Sequence, residues 1–178
     1  MAKIKEAVFD TGPLIHISEI NKQNCFSLFK QILITKEVSD ELDSLNFSGK
    51  TIIKKIKNII TKNLDGKHKD TTKIIIEKHE LDFGEASSIA LCKQESINFF
   101  FTDDLEARTF AKSLGLNVHG TIAILLRSFK EKILSKEETI KTLDSLKTNS
   151  SLFITSDLIE WTKKEINKAN FNKIVKDK

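Results

Sequence analysis

Ala7-Val8-Phe9-Asp10-Thr11-Gly12-Pro13-Leu14 is the stretch on which the fold turns. Ala7, Val8 and Phe9 form an uninterrupted apolar run that reads as a short buried strand, and Asp10 stands at its end. Thr11-Gly12-Pro13 then turns the chain. Proline has no amide hydrogen to lose and a φ already set for a first helical turn, so a helix is expected from there through Ile20. A strand that passes straight into a helix, with a carboxylate at the joint, is the unit of a mostly parallel α/β sheet. In such a sheet the ligand crevice opens beyond the carboxyl ends of the strands.

The same alternation continues outward. Residues 32–34 read as a second strand, followed by a helix in which Val38, Leu42 and Leu45 share one face, and Gly49 closes that unit. Phe99-Phe100-Phe101 is a third strand, ending in Thr102-Asp103-Asp104, and residues 105–114 form a helix stopped by Gly115. Residues 117–119 are a fourth strand, after which Gly120-Thr121 opens a helix through Phe129. A further helix is expected behind Gly84, over residues 85–95. Ile52, Ile53, Ile56, Ile59 and Ile60 recur at helical spacing, opposite Lys54, Lys55 and Lys57, so residues 51–64 read as an amphipathic helix. Residues 74–76 fit a strand or a helix equally. Two more helices, 136–146 and 157–168, follow with Ser135 and Ser156 as N-caps, joined by the short apolar piece 152–154. The expected organisation is one α/β domain over residues 1–130 and a helical C-terminal extension over 131–178 packed on it.

Composition removes several classes. A chain of 178 residues with 12 Phe has enough bulky apolar material for one core without staples. Cys25 and Cys92 each sit in apolar helical context and no Cys/His pairs have ligand spacing, so they read as small buried hydrophobes and no zinc site is expected. No apolar run is long enough to span a bilayer, and the N-terminus enters its first strand without a leader-like segment; a soluble, cytoplasmic protein is expected. The net charge of +4 suits a nucleic-acid ligand, but lysines are scattered throughout, as they are on any solvated helix faces, and charge decides nothing.

The informative feature is the placing of carboxylates. Asp10 ends the first strand, Asp103 and Asp104 end the third, Glu41 lies on the helix after the second, and Glu85 lies in the first turn behind Gly84. Acids from separate segments that meet at one sheet edge raise each other's pKa unless a cation neutralises them. Oxygen-only ligands select a hard cation, Mg²⁺ or Mn²⁺, whose chemistry is water activation at a phosphodiester. Each acid also has an ordinary reading. Asp10 has the place of a helix cap, Glu41 that of a solvated helix residue, and Asp82…Glu85 and Asp103…Glu106 have the spacing of capping boxes.

With these residues in hand the chain resembles the PIN-domain ribonucleases, which include the toxin half of many toxin–antitoxin pairs. The resemblance rests on Val8-Phe9-Asp10-Thr11-Gly12-Pro13-Leu14, Val38-Ser39-Asp40-Glu41-Leu42, Leu81-Asp82-Phe83-Gly84-Glu85-Ala86, Phe101-Thr102-Asp103-Asp104, and Leu114-Gly115-Leu116-Asn117-Val118-His119-Gly120-Thr121. It covers nearly the whole chain and is similar to a standalone prokaryotic branch of that family long recorded as of unknown function. It implies a three-layer fold around a mostly parallel five-stranded sheet, and hydrolysis of single-stranded RNA by water that Mg²⁺ or Mn²⁺ activates. It assigns catalysis and metal binding to Asp10, Glu41, Glu85 and either Asp103 or Asp104, with Asp82 as the fallback for Glu85. Thr11, Thr102 and Arg108 are the expected substrate contacts; a surface ion pair of Arg108 with Glu106 or Asp104 is its ordinary alternative. The implied partners are an antitoxin protein and a second copy of the chain, docked through the Ile52–Ile60 stripe.

Other readings fit less well. Asp-Thr-Gly is also the aspartic-protease signature, but those enzymes are all-β and need two such aspartates. Haloacid-dehalogenase phosphatases carry a second Asp where this chain has Gly12, which argues against a phosphoaspartyl intermediate. A receiver domain of a response regulator gathers acids too, at spacings that match poorly. The rival from another class is a non-catalytic PIN-like module that binds RNA or protein. His16 on the first helix and His119 after the fourth strand could approach the crevice, but neither has a triad-like partner in sequence and both are read as structural.

Overall fold

The structure, a computed structural model, describes residues 4–47 and 49–168. Five strands, β1 (Ile4–Phe9), β2 (Phe29–Thr35), β3 (Ile59–Lys62), β4 (Phe99–Phe101) and β5 (Asn117–His119), form one sheet in the order β3-β2-β1-β4-β5. Every pairing is parallel. The connecting helices are α1 (Thr11–Glu19), α2 (Lys36–Ser44), α3 (Lys50–Ile53), α4 (Gly66–His79), α5 (Phe83–Gln94), α6 (Leu105–Ser113) and α7 (Thr121–Lys130), and α8 (Lys136–Asn149) and α9 (Ser156–Lys168) follow. The protein is thus an α/β fold with a five-stranded parallel sheet. From β1 the chain moves outward to β2 and β3, then returns to the other side of β1 for β4 and β5. That reversal, between β1 and β4, is where an open sheet of this kind leaves a crevice.

Both sheet faces are covered. Strand residues alternate, so Val8, Leu33 and Phe100 enter one core with Ile89 and Leu91 of α5 and Ala107 and Ala111 of α6. Ala7, Phe9, Ile32, Ile34 and Phe101 enter the other with Leu14 and Ile17 of α1 and Ile124 and Leu125 of α7. The second core centres on stacked rings: Phe9 and Phe101 lie 4.6 Å apart, with Phe29 edge-on to both at 5.0 and 5.1 Å. Leu143 and Leu146 of α8 and Ile159 and Ile166 of α9 belong to this same core. Residues 169–178 of the expected extension lie outside the described residues.

The expected helix over residues 51–64 is not formed. Its helical part stops at Ile53, and Ile59–Lys62 is β3, paired from Ile32↔Ile59 to Thr35↔Lys62. The outer edge of β2 has backbone groups that need partners, and the β-branched run Ile59-Ile60-Thr61 suits that place. Asn58 starts the pairing: its carbonyl accepts from the Ile32 amide at 2.8 Å and its side chain donates to Phe26 and Phe29 carbonyls, each at 3.0 Å. The Ile52–Ile60 stripe is therefore not one helical face.

Residues 74–76 fall within α4, which buries Thr72 and Ile75. Ser135 caps α8, reciprocated by Glu138. Helix α9 begins one residue earlier than expected, and Thr155, not Ser156, accepts its Leu158 amide, at 3.4 Å. Cys25 and Cys92 are buried free thiols. Among the described residues no helix is long and apolar enough to cross a membrane.

Candidate active site

Asp10 follows the last residue of β1, and its amide still bonds the Phe101 carbonyl at 2.9 Å, so it is held in the plane of the sheet. It does not cap α1 with its side chain. Only 7% of the residue is exposed, and its Oδ2 accepts a 3.0 Å bond from Thr102 Oγ1. Burial pushes the carboxyl up to about 7, against the pull of the Thr11 amide and Thr102, and the charges of Asp82 and Glu41 add to the rise. Thr102 Oγ1 also accepts from the Asp104 amide at 3.2 Å, so one buried hydroxyl fixes both an acid of β1 and the loop after β4.

Val38 and Leu42 turn inward on α2, which leaves Glu41 on the flank toward the crevice. Its Oε2 accepts from Thr11 Oγ1 at 2.6 Å. On α5, Asp82 and Glu85 form the capping box their spacing allows: the Glu85 amide donates to Asp82 Oδ1 at 2.8 Å, and the Asp82 amide to Glu85 Oε2 at 3.1 Å. Glu85 nevertheless faces the other acids. Partial burial, then the charges of Asp82, Asp104 and Asp10, push its carboxyl up to about 8, against the bond from the Asp82 amide. Gly84 lies at the point of convergence. A Cβ there would stand 3.1 Å from Glu41 Oε2, 3.4 Å from Asp82 Oδ1 and 3.7 Å from Asp10 Oδ1.

The pair after β4 divides. Asp103 Oδ1 accepts from the Thr121 amide at 2.8 Å, and Oδ2 accepts from Thr121 Oγ1 at 2.5 Å with His16 Nδ1 2.9 Å away. Burial works to raise its pKa, but His16 and Thr121 together outweigh it and hold the carboxyl below the usual range. Asp104 caps α6, its Oδ1 accepting from the Ala107 amide at 2.8 Å.

A cleft of about 510 Å³ collects these groups: Asp10, Thr11, Glu41, Glu85, Asp103 and Asp104 line it, with Asp82, His16 and the segment 151–153. Thr102 lies buried beneath. Arg108 lines an adjoining hollow of about 410 Å³ instead; its Nη1 donates to the Thr102 carbonyl at 3.2 Å, not to Glu106 or Asp104. His16, expected to be able to approach the crevice, stands on the cleft wall. The signal was its spacing, four residues after Gly12 and so on the same helix face. Thr121 and the segment 151–153 gave no such signal.

The donor set is oxygen-rich, and among the described residues no positive charge is a leading influence on the two raised carboxyls; both points fit a hard divalent cation held by Asp10, Glu41, Glu85 and an acid after β4. Among the described residues no three acid, His or Cys side chains form a ready cage. Internal bonds hold Glu41, Glu85 and Asp103 in their present orientations.

None of the curated proteins compared matches the chain. A family model described as PIN domain matches residues 6–168, from within β1 to the end of α9. The elements that build the cleft all lie inside that span, and the chain belongs to the PIN domain family.

Proposed function

We propose that this protein is a metal-dependent endoribonuclease that hydrolyses phosphodiester bonds of single-stranded RNA, with Mg²⁺ or Mn²⁺ as cofactor. PIN domains are in general nucleases that use divalent metals. The observation that carries the reading is the meeting of Asp10, Glu41, Asp82 and Glu85 around Gly84, with Asp104 beside them, at the point where the strand order reverses. When bound, the cation activates the attacking water and offsets the charge of the phosphate.

The chain's own groups have distinct parts. Asp10, Glu41, Glu85 and Asp104 hold the cation. Burial and mutual repulsion keep Glu85 largely protonated and Asp10 about half protonated near neutral pH in the cation-free cleft, and a bound cation would favour the ionised form of both. Asp103, tied to Thr121 and His16, positions the loop that presents Asp104. Thr102 aligns Asp10 with Asp104, and Thr11 aligns Glu41. The proposal extends to a toxin's role in the cytoplasm, with an antitoxin protein and a second copy of the chain as partners.

The test is cleavage of an unstructured RNA by purified protein in Mn²⁺, in Mg²⁺ and in EDTA, beside Asp10→Asn, Asp103→Asn and Asp104→Asn. Cleavage that needs the metal, and falls by at least about a hundredfold in Asp10→Asn and Asp104→Asn, supports the proposal. Activity that survives EDTA and both substitutions overturns it, and absent cleavage leaves a non-catalytic binding module as the better reading.

A further inference from the structure

Phe153 is 91% exposed, the most exposed of the large apolar side chains among the described residues, and it stands between the acidic cleft and the hollow of Arg108. Its position is built. Residues 150–155 link α8 to α9 without regular structure, and burial alternates along them, with Leu152 and Ile154 half-buried against the core that contains Phe9 and Ile17. Phe153, between these two inward side chains, is left in solvent. The segment is also fastened to α1: the Ser151 amide and Oγ donate to Glu19 Oε2 at 2.7 and 3.1 Å. Phe153 is thus held outward by anchors on both sides.

The hollow next to it is the size of a small-ligand site and shares Asp103, Leu105, Leu152 and Phe153 with the cleft. Leu105, 74% exposed, widens the apolar rim. Inside it, Arg108 donates one bond to a carbonyl and pairs with no carboxylate among the described residues. Gly120 keeps the floor open, since a Cβ there would stand 2.8 Å from Arg108 Nη1. An exposed ring, a guanidinium outside any ion pair among the described residues and continuity with an acidic cleft are the parts of a single-strand platform: a flat face for a base, and a cation for the phosphate beside it.

We propose that Phe153 and Arg108 form a nucleotide subsite of single-stranded RNA beside the cleft: the base of the nucleotide next to the scissile bond stacks on Phe153, and its flanking phosphate pairs with Arg108. This rests on the ribonuclease reading. Because every base has a π face, the subsite sets register and affinity with little preference among bases. A duplex, whose bases are stacked on one another, does not offer one to the ring.

The test separates the subsite from the chemistry by measuring binding without cleavage. A fluorescein-labelled decauridylate, and the same oligomer carrying one abasic position moved stepwise along it, are titrated by anisotropy in EDTA and again in Ca²⁺. The proteins are the full chain, Phe153→Ala, Phe153→Trp and Arg108→Gln. Phe153→Ala is expected to weaken binding about tenfold, and Phe153→Trp to restore it. One abasic position should weaken binding to the full chain by a similar factor while leaving Phe153→Ala unaffected. Arg108→Gln should lower the slope of log affinity against log salt by about 0.7. Equal affinity of Phe153→Ala and the full chain, or abasic effects of the same size in both, overturns the subsite even if the protein cleaves RNA. Loss of self-association in Phe153→Ala with RNA affinity intact overturns it in favour of a protein interface. Coupled losses in a protein that never cleaves uphold the subsite and count against the ribonuclease reading alone.

Discussion

Asp10→Asn should stabilise the metal-free protein against unfolding, and by more at pH 8 than at pH 5. The Asp10 carboxyl titrates near 7 in the fold against an ordinary value of 3.8, chiefly because burial disfavours its charge. A carboxyl whose folded pKa is raised favours the native state fully below its unfolded pKa. That contribution is lost as pH climbs toward the folded pKa, at about 1.4 kcal/mol per unit. Between pH 5 and pH 8 the wild-type chain therefore forfeits roughly 3 kcal/mol through this one group. Asparagine does not titrate, and its side-chain oxygen still accepts from Thr102. The stability gap between the two proteins should thus widen by roughly 3 kcal/mol across that interval, or about 6 to 12 °C in Tm for a chain of this size. Urea melts in EDTA at pH 5, 6, 7 and 8 read the gap directly. Saturating Mn²⁺ at pH 8 should close it, because only the carboxylate gains a cation. A gap that stays constant with pH would mean that the charge of Asp10 is already neutralised within the fold, and the argument from burial would be wrong.

Thr121→Val keeps the shape of the side chain but removes the hydroxyl that donates to Asp103; a loss of about 1.5–3 kcal/mol is expected in urea melts at pH 7, shrinking at acid pH as Asp103 is protonated. Two glycine substitutions should separate site from scaffold. Gly120→Ala has no backbone strain, but its Cβ would fall 2.5 Å from Asp103 Oδ1, so RNA cleavage should drop by at least about tenfold as that carboxylate is displaced. Gly115→Ala meets nothing within 4 Å and is opposed only by its φ of 81°, so it should cost about 1 kcal/mol of stability and leave cleavage unchanged. Phe9→Ala opens a void in the stack with Phe29 and Phe101 and should cost about 3–5 kcal/mol, checked by the same melts.

The strand–turn–helix at Ala7–Leu14 was legible because its cues are local: an apolar run, a glycine and a proline at fixed places. The acids at strand ends were legible for the same reason, since topology alone brings Asp10 and the pair after β4 to neighbouring strands. β3 was not. Its isoleucines continue a helical period begun at Ile52, and only the open edge of β2, some thirty residues earlier in the chain, decides between the two forms. The contact that holds His16 was hidden on similar grounds, because its bonding partner Asp103 lies 87 residues away. Nor does the string Thr102-Asp103-Asp104 say how each acid is held. Both line the cleft, but Thr121 occupies both oxygens of Asp103, whereas the start of α6 uses one oxygen of Asp104. What sequence conveys well is which residues sit at element ends; what it hides is which distant hydroxyl or ring holds them.

The central strand is the first to be synthesised, and this orders the protein's birth. β1 finds β2 early, but Asp10 waits 92 residues for Thr102, and the wall that carries Phe153 is fixed by Glu19, which precedes Ser151 by 132 residues. A nascent chain that has emerged only as far as β3 has two of the acids and none of the groups that align them across the reversal. The cleft therefore assembles only once the segment after α8 has been made, and a chain truncated before α8 should emerge with its acids present but its far wall missing.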